Sequence, residues 1–419
     1  MHSEKTLKQK LNQTVTSVIL AGGQGTRLHP LTLHRCKPAV SFGGRYRLID
    51  VPISNSLNSQ IQNIFVISQY FASSLQQHLS ATYPHHQLAE GNLEMLCPEE
   101  TEQGGVKWFK GTADAIRQTL PYLLQLPSDY YLILSGDQLY NIDLLNMVQF
   151  AQDFQADLVI ASIPVQEREA KRMGLLRLRN DQSIVDFFEK PNTPALLQKF
   201  QLPHPDQPPR YLGSMGIYVF SRKALIELLQ HPGDDFGKDL IPLMVQNKKS
   251  FAYIYEGYWE DIGTISSFYE ANLALVKQEN CLDIYNPWRP IYTANFHLPS
   301  PLIAHSHIDQ SIINPGCVIH AQEISYSLVG MCCQIGLGSI LRDSIILGNP
   351  GAHHIHSPLV IGKDCVIRKA IIDEEAELGD RVQLINEKNQ LHYDGDGIFI
   401  RDGIIIVTSK TRLPNDYRL

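Results

Sequence analysis

The 419-residue chain has no CxxC pair, no excess of basic residues and nowhere the run of about 18 apolar residues that a membrane-spanning helix requires. Its seven cysteines are odd in number, so neither a disulfide framework nor a common zinc site is indicated. The adjacent Cys332 and Cys333 read as two small buried thiols in a reducing compartment. The opening MHSEKTLKQKLNQ is polar and lysine-bearing and lacks the apolar core of a secretory signal, so the expected location is the cytoplasm. Lysine and arginine total 36 against 43 acidic residues, a net charge of -7. No global positive field exists to collect nucleic acid or an anionic membrane, and an anionic ligand must be held by local cations. Glycine (28) and proline (24) are scattered, which excludes collagen-like and low-complexity chains. The 16 histidines stand outside the charge count although they titrate near neutrality.

What is present describes an ordinary globular protein, 43% hydrophobic and 19% charged, whose length predicts two or three domains. Residues 15–21, VTSVILA, are β-branched and apolar and run straight into glycines, as a buried parallel strand entering a loop would. NIFVIS (63–68), YYLILS (130–135) and DLVIAS (157–162) repeat the form, separated by helical candidates at 113–125 and 143–154. This alternation predicts an α/β domain with a mostly parallel sheet, helices on both faces, and ligands beyond the carboxyl ends of the strands. The first domain is drawn at 14–280. Residues 281–299, rich in proline and without helical period, read as a linker.

A second domain, 300–419, has another rhythm. Val360, Val366, Ile372, Leu378 and Leu384 are aliphatic at a spacing of six, as are Ile312, Val318 and Ile324. That spacing predicts a parallel β-helix whose coils bury one aliphatic row. An antiparallel sheet also permits a spacing of six, but Gly362, Lys363 and Asp364 do not alternate as a two-faced strand would.

The stretch LAGGQGTRLHPLTLHRCKPAV (20–40) carries the most chemistry. Gly22, Gly23 and Gly25 follow a strand, and without side chains their backbone N–H groups can approach phosphate oxygens closely. Arg27 and Lys37 supply cations. A purely structural turn remains an alternative. A dinucleotide-binding GxGxxG would need glycine where Leu28 stands, and no GK[ST] follows for a Walker A loop.

GGxGTRLxPLT followed by KP resembles the signature of sugar nucleotidyltransferases. FGGRYRLIDVPISNSLNS (42–59), WFKGTADA (108–115), LSGDQLY (134–140), FEKP (188–191), SMGIYVF (214–220), DFGKDLIP (235–242) and GYWEDIGT (257–264) narrow the resemblance to ADP-glucose pyrophosphorylases. The resemblance implies a Rossmann-like, GT-A-like catalytic domain followed by a left-handed parallel β-helix. It implies ATP and α-D-glucose 1-phosphate as substrates, ADP-glucose and pyrophosphate as products, Mg²⁺ as cofactor, a role in glycogen or starch synthesis, and a homotetramer. Two other functions are compatible with the chain: a transferase using UTP or dTTP, and a non-catalytic regulatory subunit.

By resemblance, Arg27 and Lys37 contact the triphosphate, with the Gly22, Gly23, Gly25 and Thr26 backbone around it. Asp137 matches the catalytic aspartate and Asp261 its partner for Mg²⁺; a helix N-cap is the alternative for either. Gly111 and Thr112 match positions at the adenine. Glu189, Lys190, Gly174, Ser214 and the Phe109 ring match the glucose 1-phosphate site, although Glu189 and Lys190 could be an exposed ion pair. Phe109 stands where some members have tyrosine. A glutamine that several members carry shortly before the tryptophan has no clear equivalent, since Gln103 lies nearer Trp108, so the resemblance speaks to the reaction type more than to the choice of base. Members respond to anionic metabolites through cationic residues, yet here His34 and Glu374 stand where some carry lysine. A weak or altered response follows.

Overall fold

The computed structural model describes residues 14–83, 91–100, 105–202, 208–349 and 357–419. At the centre of the first domain, strand Val15–Leu20 pairs in parallel with Tyr130–Ser135 on one side and Asn63–Ile67 on the other, and Asn92–Leu96 extends the sheet. The apolar runs are continuous because both faces are covered. Val15 and Ile19 enter one core cluster with Leu132 and Leu134, whereas Val18 enters a second with Tyr131 and Ile133. Successive side chains of a strand point to opposite faces, so each run feeds two cores.

The sheet is mixed beyond this parallel core. Strand Arg210–Ser221 lies antiparallel to Tyr130–Ser135, and Leu158–Gln166 and Gly174–Leu178 pair antiparallel with it. The DLVIAS run therefore shares the direction of the parallel core but is separated from it by an inserted antiparallel strand. A strand buried on both faces shows the same apolar run in either direction, so the sequence pattern does not reveal the insertion. Helices Thr112–Leu123 and Leu144–Asp153 form at the helical candidates 113–125 and 143–154, the second capped by Asp143 Oδ1, which accepts from the N–H groups of Leu145 and Asn146.

Beyond helix Ile265–Lys277 the chain carries no helix or strand among the described residues until Leu302. It is pinned to the first domain instead. Arg289 Nε donates to Asn141 Oδ1 at 2.7 Å, the Tyr292 N–H donates to Ser54 Oγ at 2.8 Å, and Thr293 Oγ1 donates to Asp50 Oδ2 at 2.8 Å.

The C-terminal domain stacks parallel strands in three sheets, one of which is extended by antiparallel pairing of Ile404–Val407, Ile398–Arg401 and His392–Asp394. Ile303, Ile319, Ile335, Ile361, Leu378 and Leu413 stack in successive coils, and all but Ile303 in the first coil are buried. The hexad row needs a correction. Ile324, Ile372, Leu378 and Leu384 face the interior, but Ile312, Val318, Val360 and Val366 are only half-buried. Three of these four begin aliphatic pairs whose second member, Ile319, Ile361 or Ile367, is buried. Alternation along each strand lets only one of the two neighbours point inward.

The two domains share a core in which Leu28, Val40, Phe42 and Leu48 meet Phe268 and Leu275 of the Ile265–Lys277 helix and Leu328, Ile345 and Ile371 of the β-helix. A glycine turn makes the approach possible. Gly43 and Gly44 join strands Ser41–Phe42 and Tyr46–Arg47 with φ of +62° and +68°. A Cβ on Gly44 would lie 2.7 Å from Gly330 Cα and 2.8 Å from Leu328 Cδ2. The Gly44 carbonyl accepts from the Met331 N–H at 3.1 Å, and the Gly43 carbonyl accepts from Asn314 Nδ2 at 3.2 Å.

Candidate functional site

The loops that leave the carboxyl ends of the parallel strands enclose a cavity of about 530 Å³. Of the residues singled out above, Gly22, Gly23, Phe109, Gly111, Thr112, Asp137 and Glu189 line it. Asp137 follows strand Tyr130–Ser135, and its two carboxylate oxygens are both engaged. Lys37 Nζ donates to Oδ2 at 2.6 Å, and Ser135 Oγ donates to Oδ1.

Asp261 is remote in sequence but reaches the same place through a short ladder, because strand Trp259–Asp261 pairs antiparallel with Gln138–Tyr140. Its Oδ1 lies 3.8 Å from Lys37 Nζ. One ammonium thus serves two carboxylates. Burial works against the charged form of Asp137, yet the Lys37 charge and hydrogen bond, with that of Ser135, hold its pKa below the ordinary value. At Asp261 burial and the neighbouring Asp137 charge prevail over Lys37 and Arg27, and the pKa is raised. Arg27 is exposed and lies alongside Gly263, where an added Cβ would stand 3.6 Å from Nη1.

The glycine loop divides its work. Gly22 and Gly23 face the cavity, whereas Gly25, with φ of +66°, packs where a Cβ would come 3.1 Å from Lys37 Cβ. Thr26 begins the single turn Thr26–Leu28 and is exposed. At Gly111 the reason for glycine is close approach: a Cβ would meet the Asp234 carbonyl oxygen at 2.3 Å. The Thr112 hydroxyl is already used, donating to Asp235 Oδ2 at 3.2 Å and accepting from the Phe236 N–H at 3.0 Å.

Glu189 ends strand Ile184–Glu189 opposite Gly174, where a Cβ would lie 2.7 Å from Glu189 Oε2. Lys190 Nζ stands 3.1 Å from Glu189 Oε1 with its side chain 65% exposed, and it does not line the cavity. Ser214 is nearly buried and accepts from the Gly216 N–H at 3.2 Å. The Phe109 ring is buried at the cavity wall.

The Nucleotidyl transferase family model matches residues 16–278. The chain belongs to that family. A second model, the GLGC left-handed parallel beta-helix domain, matches residues 297–417, and the pair is characteristic of ADP-glucose pyrophosphorylases.

Within this nucleotidyltransferase the donor set suits a hard divalent cation. Among the described residues no group of three or more histidine, cysteine, aspartate or glutamate side chains could hold a metal unaided. Asp137 and Asp261 offer two carboxylates beside one lysine, which fits Mg²⁺, an ion that usually takes one or two carboxylates and completes its shell with water and phosphate oxygens. No described helix is long and apolar enough to cross a membrane, and none of the seven cysteines is in a disulfide.

Several cavity residues carry no role assigned from sequence. Gln69 joins two loops, donating from Nε2 to the Gly22 carbonyl at 3.0 Å and accepting the Phe109 N–H at 3.0 Å. Its position just after strand Asn63–Ile67 was the available signal, since ligands gather beyond strand ends. Gln138 is held by Met215 and Trp259, and Tyr218 comes from the inserted antiparallel strand. Both stand inside motifs quoted above, LSGDQLY and SMGIYVF, which drew attention to Asp137 and Ser214 instead. His34 is exposed, whereas Glu374 is buried between the domains against Arg35 and Arg47. Gln103 lies outside the described residues.

Proposed function

We propose that this nucleotidyltransferase transfers the adenylyl group of ATP to α-D-glucose 1-phosphate, giving ADP-glucose and pyrophosphate for glycogen or starch synthesis. The observation that carries the reading is the convergence of Lys37 and Asp261 on Asp137, which lines a cavity that Gly22, Gly23, Phe109, Gly111 and Glu189 also line. A sugar phosphate is already ionised near pH 7, so the site needs no strong base. It needs in-line placement and neutralisation of charge on the leaving pyrophosphate.

Lys37 and Arg27 supply that neutralisation, and the Gly22–Gly25 loop and Thr26 offer backbone N–H donors to the triphosphate. Gly111 and Thr112 take the adenine end. Glu189 and Ser214 hydrogen-bond sugar hydroxyls, Phe109 supplies an apolar face, Gly174 leaves room for Glu189, and Lys190 swings in to pair with the sugar phosphate. Asp137 and Asp261 would hold Mg²⁺, which when bound neutralises and bridges phosphate oxygens.

The catalytic unit is residues 14–280, joined through 281–299 to a β-helix of 300–419, in a cytoplasmic homotetramer that responds weakly to anionic metabolites. Weak response follows from Glu374, which neutralises local arginines. Strong activation by fructose 1,6-bisphosphate or 3-phosphoglycerate would contradict this.

The deciding experiment incubates the purified chain with Mg²⁺, each of ATP, UTP, GTP, CTP and dTTP, and glucose 1-phosphate, and follows pyrophosphate release. ATP should give the highest kcat/KM. A preference for UTP or dTTP would move the assignment to another sugar nucleotidyltransferase, and no turnover with any nucleotide would favour a regulatory subunit.

A further inference from the structure

Among the described residues, one buried ion cluster joins the two domains directly, and it surrounds the turn that carries Lys37. Arg35 donates to both oxygens of Asp373, at 3.1 and 3.3 Å, and its Nη1 also lies 3.2 Å from Glu374 Oε1. The same Glu374 oxygen accepts from Ser41 Oγ and lies 3.4 Å from Arg47 Nη1. Arg35 precedes the single turn Lys37–Ala39, and Ser41 and Arg47 follow it. Arg47 Nη1 also donates to the Ala39 carbonyl, and the Ile49 N–H donates to the Pro38 carbonyl at 2.9 Å. One carboxylate oxygen of the β-helix therefore gathers both flanks of the turn that places Lys37 Nζ at 2.6 Å from Asp137.

We propose that Glu374 is a positioning residue: by neutralising Arg35 and Arg47 between the domains, it holds the Lys37–Ala39 turn in the register that aims Lys37 at Asp137. The inference rests on the reading of Lys37 given above. Arg35, Arg47, Asp373 and Glu374 together are electrically balanced. Without Glu374, two guanidiniums with side chains only 8% and 19% exposed face each other across the turn with a single carboxylate between them. Their repulsion acts on a segment three residues long, and an error of about 1 Å in a catalytic group can cost about 100-fold in rate. The Lys37 ammonium pairs with Asp137 and Asp261 and not with Glu374, so the effect passes through backbone.

The test compares the full-length parent with Glu374→Gln, Glu374→Ala and, as a control on an ion pair elsewhere in the β-helix, Glu323→Gln. The two Glu374 variants should lose about 10- to 100-fold in kcat, with KM for the sugar phosphate changed less than about twofold. The control should match the parent. Acetate or formate, added to Glu374→Ala at constant ionic strength, should restore turnover by supplying the missing carboxylate, and should leave the parent unaffected. Amide exchange at Ala39 and Val40 should be faster in Glu374→Gln than in the parent.

Variants that turn over like the parent, or a loss that only follows a lower Tm and that no carboxylate repairs, would overturn the inference. If Glu374→Ala does not fold, the near-isosteric Gln variant still supplies the kcat and exchange readings. A parent with no turnover on any nucleotide would sink the functional reading. Unchanged exchange in Glu374→Gln, which needs no activity, would sink the positioning role alone.

Discussion

Lys37 and Asp137, one hundred residues apart in the chain, meet through a 2.6 Å hydrogen bond, and Asp261 completes the group at 3.8 Å from the same ammonium. Because the three charges act as a unit, Lys37→Ala should lower kcat by about 10²–10³-fold, the usual cost of removing a preorganised charge stabiliser. Asp137→Asn should cost a similar factor. The double variant should lose far less than the product of the two, and steady-state kinetics on all three proteins will show whether they are coupled.

Gly44→Ala should destabilise the chain by about 2–3 kcal/mol. The residue would have to adopt a positive φ while its Cβ intruded on Gly330 and Leu328. Urea denaturation followed by tryptophan fluorescence measures this, and a variant as stable as the parent would show that the interdomain contact is looser than described.

Arg289→Ala should free the interdomain segment. The guanidinium holds Asn141, the Ile142 carbonyl and Ser59, and its loss takes a donor from the carbonyl of buried Ile142 and from half-buried Asn141, at a cost of about 1–3 kcal/mol. Limited proteolysis should then cut within 281–299 sooner than in the parent, while turnover falls less than for Lys37→Ala.

Asp50 sets an acid limit. Burial alone would raise its carboxyl pKa, but the His78 charge and hydrogen bond, with donors from the Arg47 N–H and Thr293, pull it below the ordinary value near 3.8. A carboxyl with a lowered folded-state pKa contributes stability above its unfolded pKa and loses it as the pH falls toward the folded value. The parent should therefore lose Tm steeply below about pH 4. Asp50→Asn, less stable at pH 7, should show a shallower slope there, and parallel Tm curves would refute this role.

The turns after residues 15–21 and 130–135 were legible because the glycines at 22–25 and Asp137 follow the apolar runs directly. Helices 112–123 and 144–153 were legible as the segments that separate the apolar strand runs. The β-helix was legible from its hexads, but which member of each aliphatic pair points inward was not, since Val360 and Ile361 are equally apolar and only the direction of the strand separates them. The inserted strand Arg210–Ser221 was hidden for a related reason: hydrophobicity records burial and not direction.

By itself the sequence determined that two differently patterned domains exist, and it placed phosphate-compatible glycines beside Arg27 and Lys37 in an acidic chain. Those are properties of neighbours, set by propensity and by the period of burial. Tertiary structure alone decided that Asp261 joins Asp137 through a two-stranded ladder, that Gln69 clamps Gly22 to Phe109, and that Glu374 lies between Arg35 and Arg47. Each of these contacts joins segments far apart in the chain. Which segments meet depends on sheet order and domain docking, and no local pattern encodes that.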